Sequence, residues 1–248
     1  MPGRLSNKVT IITGAGGGFG KGIAQKFLEE GATVIIADFV QELGTSTAKE
    51  LGCDFHRTDV TKKEDWESIR EFCEGKYGRI DAVVNNAGTT YRNKPTGEVT
   101  EEEFDKVMNV NVKSVYWSAN IIVPYMQEKK IAGSFVTTAS TAGIRPRGGL
   151  TWYNASKAAV INASKSMAVE YAKDQIRFNT VCPVVGLGTG LTDSFLGKPE
   201  NEKTFMATVP LGRGSTPRDV GNTCCFLCSD EADFLTGIDV PVDGGRCV

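Results

Sequence analysis

The fold is decided by Val9-Thr10-Ile11-Ile12-Thr13-Gly14-Ala15-Gly16-Gly17-Gly18-Phe19-Gly20, where a β-branched apolar run passes directly into a glycine-rich turn. A helical pattern through Lys26-Phe27-Leu28 follows. Glycines in such a turn permit positive φ and let the backbone approach a pyrophosphate, and the N-terminus of the next helix attracts the phosphate charge. Because turns are also rich in glycine for purely structural reasons, this stretch alone predicts only a strand–loop–helix unit suited to a nucleotide.

Short β-branched runs alternate with longer helical patterns along the chain. This alternation is typical of βαβ units, in which a parallel sheet is buried on both faces. We expect six strands before residue 182 and a seventh near the C-terminal end of the chain. Six of the seven are marked by an apolar run, at residues 9–12, 33–36, 82–84, 134–137, 177–181 and 237–240. The sequence therefore predicts an α/β fold, a doubly wound parallel sheet with helices on both faces, in a single domain over residues 1–248.

The helical patterns between these strands include one ending near Leu51, a long one from about Thr100 to Lys130, and one from about Trp152 to Ala172. Residues 184–208 break the rhythm, being rich in Gly and Thr with only short apolar clusters. Long loops in a domain of this size are usually functional or disordered. We predict a substrate lid near residues 186–208, with one or two short helices.

The composition excludes several classes of protein. The chain has 248 residues, 40% apolar and 23% charged, with a formal net charge of −2, so no excess of basic groups indicates a nucleic-acid partner. No apolar run approaches the roughly 20 residues of a membrane span, and the N-terminus lacks an apolar signal core. We therefore expect no membrane partner and a protein that stays in the compartment where it is made.

The seven cysteines are an odd number scattered through apolar contexts, which favours reduced thiols and a cytoplasmic location. Cys225 and Cys228 have the spacing of a metal-ligand pair, but no second such pair exists and the only histidine, His56, lies far away in sequence. We prefer the interpretation that Cys224, Cys225 and Cys228 fill space on a buried helix, and we predict no metal.

Asp38 ends the second predicted strand and bears on the choice of nucleotide. A carboxylate there can accept both ribose hydroxyls of an adenosine and would repel a 2′-phosphate. Neither Gly17 nor Phe39 adds a basic group that such a phosphate would need. Taken alone, Asp38 could equally be a solvated strand end, but beside the glycine loop it favours NAD(H) over NADP(H).

Three motifs in order make the chain resemble the short-chain dehydrogenase/reductase family over nearly its whole length. They are the glycine loop written Thr-Gly-x-x-x-Gly-x-Gly from Thr13, Asn85-Asn86-Ala87-Gly88 after the fourth strand, and Tyr153-Asn154-Ala155-Ser156-Lys157 on a later helix. The resemblance implies a Rossmann-type fold and an enzyme that interconverts an alcohol, most simply a secondary one, and a ketone or other carbonyl. It also implies a homotetramer or homodimer.

Tyr153 and Lys157 are the centre of the predicted chemistry. Positions i and i+4 share a helix face, so an ammonium near the phenol would favour its ionised form. A tyrosine with an ordinary pKa near 10 is a poor base, and a lowered pKa would make proton exchange with substrate oxygen feasible. A Tyr/Lys pair on a helix is more often a surface pair, but Ser140, just past the fifth strand, strengthens the catalytic interpretation.

The resemblance assigns roles to these residues. It implies that Tyr153 is the general acid/base, that Ser140 orients the reacting oxygen, and that Lys157 tunes the phenol and holds the nicotinamide ribose. Asn111 corresponds to the asparagine that completes the proton relay through a water. Asn109 is the rival for that position, and we choose Asn111.

Further positions are expected along the dinucleotide. The resemblance places Asp59 and Val60 beside the adenine and Asn86, Ala87 and Gly88 along the cofactor. After the sixth strand the chain departs from the family pattern: no glycine follows Pro183, so we choose Thr189 for the nicotinamide amide and Val185 for a backbone contact. The full predicted cofactor set is Gly14, Gly17, Gly18, Phe19, Gly20, Asp38, Phe39, Asp59, Val60, Asn86, Ala87, Gly88, Tyr153, Lys157, Pro183, Val185 and Thr189.

The substrate pocket is the least determined part. Apolar residues of the lid, Phe195 and Phe205 among them, could form its ceiling, which favours a hydrophobic or ring-bearing carbonyl compound and leaves sugars and polyols open. Arg145 could line a wall or form a solvated pair with Arg147. The predicted substrate residues are Ser140, Arg145, Trp152, Tyr153 and Leu191.

Two other classes of function remain open from sequence. A related NAD-using epimerase or dehydratase would fit the same fold, since function resides in the site. A nucleotide-binding protein without turnover is the third class, and it leaves the Asn/Ser/Tyr/Lys set without a purpose.

Overall fold

A parallel sheet of seven strands forms the centre of the molecule, in a computed structural model that describes residues 3–186, 189–190, 192–196 and 200–248. The strands are β1 (Val9–Thr13), β2 (Thr33–Asp38), β3 (Asp54–Arg57), β4 (Ala82–Asn85), β5 (Ser134–Thr138), β6 (Arg177–Pro183) and β7 (Asp239–Val242). Their order in the sheet is β3-β2-β1-β4-β5-β6-β7, and every neighbouring pair is parallel. The predicted doubly wound α/β fold is confirmed.

Helices cover both faces of this sheet. They are α1 (Gly18–Glu29), α2 (Gln41–Leu51), α3 (Lys63–Tyr77), α4 (Glu101–Met108), α5 (Ser114–Lys129), α6 (Thr151–Glu170), α7 (Thr192–Leu196), α8 (Glu200–Met206) and α9 (Pro217–Cys228). Alternate residues of β1 explain the two-sided core: Ile12 packs in the cluster that includes α1 and α9, and Ile11 packs in the cluster that includes α3 and α5. A buried strand with apolar residues on both faces reads as a continuous apolar run, as β1 does.

The strand that the sequence did not locate is β3, Asp54-Phe55-His56-Arg57. It lies at the edge of the sheet, paired only with β2, and its residues are partly or fully exposed. An edge strand needs no continuous apolar run, because one of its sides faces solvent. The pattern that reveals buried strands is therefore missing here.

The long helical stretch over residues 101–129 contains one irregular turn. A π-helical turn, Asn109–Lys113, separates α4 from α5 and buries Asn111. Such a turn inserts an extra residue into the helical register and often lies at a functional site. The helical stretch predicted from about Thr100 to Lys130 is confirmed, and the π-helical turn lies within it.

In residues 184–208 the described part contains the short helices α7 and α8, and this agrees with the expected one or two short helices. The predicted lid also includes residues 187–188, 191 and 197–199, which lie outside the described residues, as does Leu191 of the predicted substrate set.

Helices α1 and α9 pack closely although one lies near each end of the chain. A Cβ on Gly22 would lie 2.3 Å from Cβ of Pro217, and a Cβ on Gly221 would lie 2.9 Å from the Gly22 carbonyl oxygen. Only glycine permits this approach. Cys224, Cys225 and Cys228 are free thiols buried in the adjoining core.

The parallel order places the carboxyl ends of β1, β2, β4, β5 and β6 along one edge of the sheet. Between β1 and β4 the strand order reverses direction, and such a point is where open α/β sheets bind ligands. Among the described residues, no helix is both long and apolar enough to cross a membrane.

Candidate active site

A cavity of about 630 Å³ opens along the carboxyl ends of the strands. Its volume lies within the range of small-molecule sites in proteins. It runs from the glycine loop to the short helices without interruption, and its lining residues are Gly14, Gly17, Gly18, Phe19, Asp38, Phe39, Leu43, Thr58, Asp59, Val60, Thr61, Asn86, Ala87, Gly88, Lys106, Val110, Thr138, Ala139, Ser140, Thr141, Ala142, Arg147, Leu150, Tyr153, Lys157, Pro183, Val184, Val185, Gly186, Thr189, Gly190, Phe195 and Phe205.

Sixteen of the seventeen residues predicted for the cofactor are in this lining. The exception is Gly20, which is buried beneath the loop in the first turn of α1. The structure therefore gathers nearly all of the predicted set along one cavity.

The Asp38 side chain is nearly buried and holds the glycine loop. Its Oδ2 accepts a hydrogen bond from the Gly16 amide at 2.8 Å, and its Oδ1 accepts one from the Val40 amide at 2.9 Å. A carboxylate has about four acceptor positions, so two bonds leave capacity toward the cavity. Asp38 thus positions the loop, a role that sequence reasoning did not find.

Thr13 and Asn86 join the glycine loop to the end of β4. The Asn86 side-chain amide donates to the carbonyl oxygens of Thr13 at 2.9 Å and Gly14 at 3.2 Å. The Thr13 hydroxyl accepts from the amides of Asn86 and Ala87, both at 3.0 Å. These bonds fix the two segments that form the floor of the cavity.

The N-terminus of α1 is suited to an anion. Gly17 is the N-cap and its position has no side-chain cap, and the first turn carries no acidic residue. Gly18 has φ +53°, and a Cβ there would meet only the Thr189 side chain, 3.7 Å away. A helix start with free amides and open space above it fits a pyrophosphate, so the residues present fit a dinucleotide.

Tyr153, Lys157 and Ser140 meet in the middle of the cavity. Tyr153 and Lys157 are buried on α6, and Ser140 follows β5. The Lys157 ammonium donates to the Thr138 carbonyl oxygen at 2.8 Å and lies 5.8 Å from the centre of the Tyr153 ring. The sheet register therefore brings three of the four predicted catalytic residues to one place.

The pKa of Tyr153 departs from the expected direction. Burial raises it to about 12, and a hydrogen bond with Ser140 acts in the opposite direction. Burial also lowers the pKa of Lys157 to about 8. The expected lowering of the Tyr153 pKa is corrected for this structure, because desolvation of the buried phenol is the largest influence on it.

Asn111 lies behind this group and does not line the cavity. Its side-chain Oδ1 accepts from the Thr89 amide at 2.8 Å, while Nδ2 donates to the Thr89 carbonyl oxygen at 2.9 Å and to the Ser156 hydroxyl at 3.0 Å. Asn109, the rival in the sequence, is exposed.

Of the residues predicted at the substrate end, Ser140, Tyr153, Phe195 and Phe205 line the cavity. Arg145 and Trp152 do not line the cavity: Arg145 donates to the Arg246 carbonyl oxygen, and the Trp152 ring packs edge-on against Phe104. In their place Arg147 lines the cavity with three apolar residues. These are Leu150, Phe195 and Phe205.

The chain is similar to known proteins over nearly its whole length. A family model described as enoyl-(acyl carrier protein) reductase matches residues 14–246. The chain is 44% identical to 4-formylbenzenesulfonate dehydrogenase TsaC1/TsaC2 from Comamonas testosteroni, with 98% of each chain covered. It is 36% identical to the NADP-dependent (R)-specific alcohol dehydrogenase from Lentilactobacillus kefiri, over 99% of this chain and 98% of that one.

The structure is similar to that of 3-ketoacyl-(acyl-carrier-protein) reductase from Brucella melitensis complexed with NADH. The TM-score is 0.93 at 36% identity, over 98% of this chain and 100% of the other. The chain belongs to the short-chain dehydrogenase/reductase family, and the relatives named here are oxidoreductases.

Proposed function

We propose that this protein is an NAD(H)-dependent oxidoreductase that interconverts a secondary alcohol and its ketone, or a related alcohol and carbonyl compound, with Tyr153 as the general acid/base. The observation that carries the proposal is the continuity of the cavity. The glycine loop lies at one end, and the buried group of Tyr153, Ser140 and Lys157 lies further along the same lining. A dinucleotide bound along the loop would therefore reach the residues that handle a proton.

The chain offers a distinct contact for each part of the dinucleotide. The start of α1 would bind the pyrophosphate, Asp38 the adenosine ribose and Lys157 the nicotinamide ribose. The nicotinamide would supply or accept the hydride. Val185 and Thr189 would lie beside it, and the Thr189 hydroxyl, which donates to the Gly186 carbonyl oxygen at 2.9 Å, is held in place in the lining.

The preference for NAD(H) rests on Asp38. Its carboxylate lines the cavity, and a 2′-phosphate at the ribose would meet this negative charge in a nearly buried setting. The relative from Lentilactobacillus kefiri is NADP-dependent by name. Cofactor preference therefore varies within the family. Membership of the family does not decide between NAD(H) and NADP(H), and the proposed preference depends on Asp38.

The proton chemistry follows from the burial of Tyr153. A phenol whose pKa is about 12 is protonated at neutral pH, so it is ready to donate to a carbonyl oxygen during reduction. In the oxidative direction the phenol must accept a proton, and positive charge from Lys157 and from an oxidised nicotinamide would lower its pKa. The Ser140 hydroxyl would hold the reacting oxygen beside the phenol.

Lys157 and Asn111 would act behind Tyr153. The Lys157 ammonium is anchored on the Thr138 carbonyl oxygen, and Gly88 lies between it and the Asn111 side chain: a Cβ at Gly88 would be 3.3 Å from Lys157 Nζ and 3.5 Å from Asn111 Oδ1. Asn111 positions the chain at Thr89 on both its donor and its acceptor side. This arrangement supports a positioning role for Asn111 in the proposed relay.

A panel of alcohols and ketones with NAD(H) and NADP(H), followed by the absorbance of the reduced nicotinamide, tests the proposal. We expect hydride transfer to or from at least one ring-bearing secondary alcohol or ketone, with higher kcat/KM for NAD(H). A substrate converted while the cofactor stays unconsumed would instead indicate an epimerase or dehydratase. Cofactor binding with no turnover across the panel would contradict an enzymatic function.

We also propose that the chain forms a homotetramer or homodimer. Large apolar side chains are exposed on the long helices and near the C-terminal strand, including Tyr116 on α5, Val169 on α6 and Phe234 before β7. Exposed apolar surface of this kind is typical of protein–protein contacts. Light scattering after gel filtration measures the number of subunits, and a monomer at micromolar concentration would contradict the proposal.

A further inference from the structure

Two guanidinium groups face one aromatic ring at the substrate end of the cavity. The Arg147 Cζ lies 4.7 Å from the centre of the Phe205 ring, and the Arg246 Cζ lies 5.9 Å from the same centre. Phe205 lines the cavity, and so does Arg147. The positive charge of both residues is therefore concentrated beside the place where substrate would lie.

Neither arginine is neutralised by a carboxylate in the part of the chain that the structure describes. The ion pairs found there include many surface arginines and lysines but not Arg147 or Arg246. The Arg147 side chain makes one long hydrogen bond, 3.4 Å, to the Phe195 carbonyl oxygen. Most of its five N–H donors thus remain available to another acceptor.

Arg246 adds to this excess of donors. Its Nε and Nη1 are shielded from solvent and have no hydrogen-bond partner among the described residues. Unpaired buried donors are unfavourable. The pKa of Arg147 is lowered mainly by burial and further by the nearby charge of Arg246. An anion placed between the cavity and these side chains would relieve both effects.

The position of Arg147 relative to the reacting group is fixed by its surroundings. Its carbonyl oxygen accepts a hydrogen bond from the Asn154 side chain at 2.8 Å, which ties it to the residue after Tyr153. Phe195 connects the two functional groups, because its ring lies edge-on to the Tyr153 ring at 5.1 Å and its carbonyl oxygen contacts Arg147. The lining near them is apolar and includes Ala142 and Leu150.

We propose that the substrate has an apolar, ring-sized body with a carboxylate or sulfonate at the end remote from the reacting carbonyl, and that Arg147 binds this anionic group. This inference rests on the proposed function, since it identifies the substrate class of the same site. Tyr153 and Ser140 receive the carbonyl or alcohol oxygen, the aromatic side chains of Phe195 and Phe205 cover the body, and Arg246 supports the positive field behind Arg147. A guanidinium suits this task because its planar donors match a carboxylate or sulfonate.

Two probes of almost equal size distinguish the effect of ligand charge on binding from the effect of ligand shape. 4-Acetylbenzoate carries a carboxylate and 4-acetylbenzamide carries a neutral amide at the same position. Calorimetry with protein saturated with NAD⁺, which cannot transfer a hydride to a ketone, measures the binding of each probe at neutral pH. We expect the carboxylate to bind roughly 10- to 100-fold more tightly than the amide, the range for hydrogen bonds to charged groups.

Variants assign the effect to a residue. Arg147→Gln should reduce the ratio of the two affinities to near one, and Arg147→Lys should retain part of it. Lys203→Gln is the matched control, because Lys203 is exposed on α8, two residues from Phe205, and does not line the cavity. That variant removes one positive charge nearby and should leave the ratio unchanged.

A ratio near one in the unmodified protein, or failure of the carboxylate to bind, overturns the proposal without any variant. An unchanged ratio in a folded Arg147→Gln protein overturns the assignment to Arg147, and Arg246→Gln gives a second variant if the first does not fold. Reduction of neutral ketones with a ratio near one would refute the anion site and leave the proposed function intact. A tenfold tighter binding of the carboxylate probe without hydride transfer to any carbonyl would support the anion site and refute the proposed function.

Discussion

The two ends of the cavity are constructed differently. At the dinucleotide end the floor is backbone: strand ends and the glycine loop, held by Asp38, Asn86 and the Thr13 hydroxyl. At the substrate end the surface consists of side chains, among them Arg147, Phe195 and Phe205, which come from a loop and from two short helices outside the sheet. The first end depends on the register of the sheet, whereas the second depends on individual side chains.

Tyr153 lies where the two ends meet, and its replacement should have the largest effect on rate. Tyr153→Phe removes the proton donor while keeping the ring, so we expect kcat to fall roughly 10²- to 10⁴-fold. Binding of NADH, measured by fluorescence titration, should change little because the backbone floor is intact. Tyr116→Phe, an exposed tyrosine on α5, serves as the control. Retention of more than about a tenth of the rate would contradict the role of Tyr153.

Replacing Lys157 tests whether burial lowers the pKa of this lysine in the folded protein. Its pKa is about 8 in the folded protein against 10.5 for an unperturbed lysine, so between these values the unfolded chain binds more protons than the folded one. The free energy of unfolding should therefore rise with pH in this window, by up to about 3 kcal/mol from this residue. Below about pH 8 the lysine is charged in both states, so the free energy of unfolding does not change with pH through this residue and the full cost of burying its charge is present.

The measurement compares denaturant unfolding of the unmodified protein with that of Lys157→Met from pH 7 to pH 10.5, the ordinary pKa of lysine. We expect the difference between the two free energies to change in favour of the unmodified protein as the pH rises. Parallel curves would mean that Lys157 keeps its ordinary pKa in the folded state.

Replacing Asp38, at the dinucleotide end of the cavity, should have the smallest of these effects, a change in cofactor preference. Asp38→Asn removes the negative charge that would repel a 2′-phosphate, so the ratio of kcat/KM with NADPH to that with NADH should rise about tenfold. Glu42→Gln is the matched control, since it removes an exposed carboxylate of α2 that does not line the cavity and should leave the ratio as it was. An unchanged ratio in Asp38→Asn would remove the basis for preferring NAD(H).

The difference between the two ends also explains what the sequence could predict. The parallel sheet and the glycine loop follow from period and spacing. The meeting of Ser140 with Tyr153 and Lys157 was implied by the family resemblance and by the way a parallel sheet brings strand ends to one edge. The edge strand β3 was not located because it lacks an apolar run. Arg147 was considered only as half of a solvated pair with Arg145, because nothing in Arg-Pro-Arg indicates which guanidinium turns toward a cavity.

Residue spacing also could not predict the directions of the pKa shifts or the hydrogen bonds of Asp38. The i, i+4 pattern correctly places Lys157 on the helix face of Tyr153, but the direction of the pKa shift depends on how completely both groups leave solvent. Asp38 likewise was predicted for its charge, whereas its bonds to the Gly16 and Val40 amides became visible only in three dimensions.

The close packing of α1 on α9 has a consequence for the order of events during synthesis. The helix that begins at the phosphate end of the cavity is made first, yet Gly22 finds its contact in Pro217, 195 residues later (217 − 22). At translation rates of about 5–20 residues per second, roughly 10 to 40 s separate the two. Until then the buried face of α1, with Ile23 and Phe27, lacks its α9 partner. A nascent chain should thus acquire tight dinucleotide binding late, near the completion of its synthesis.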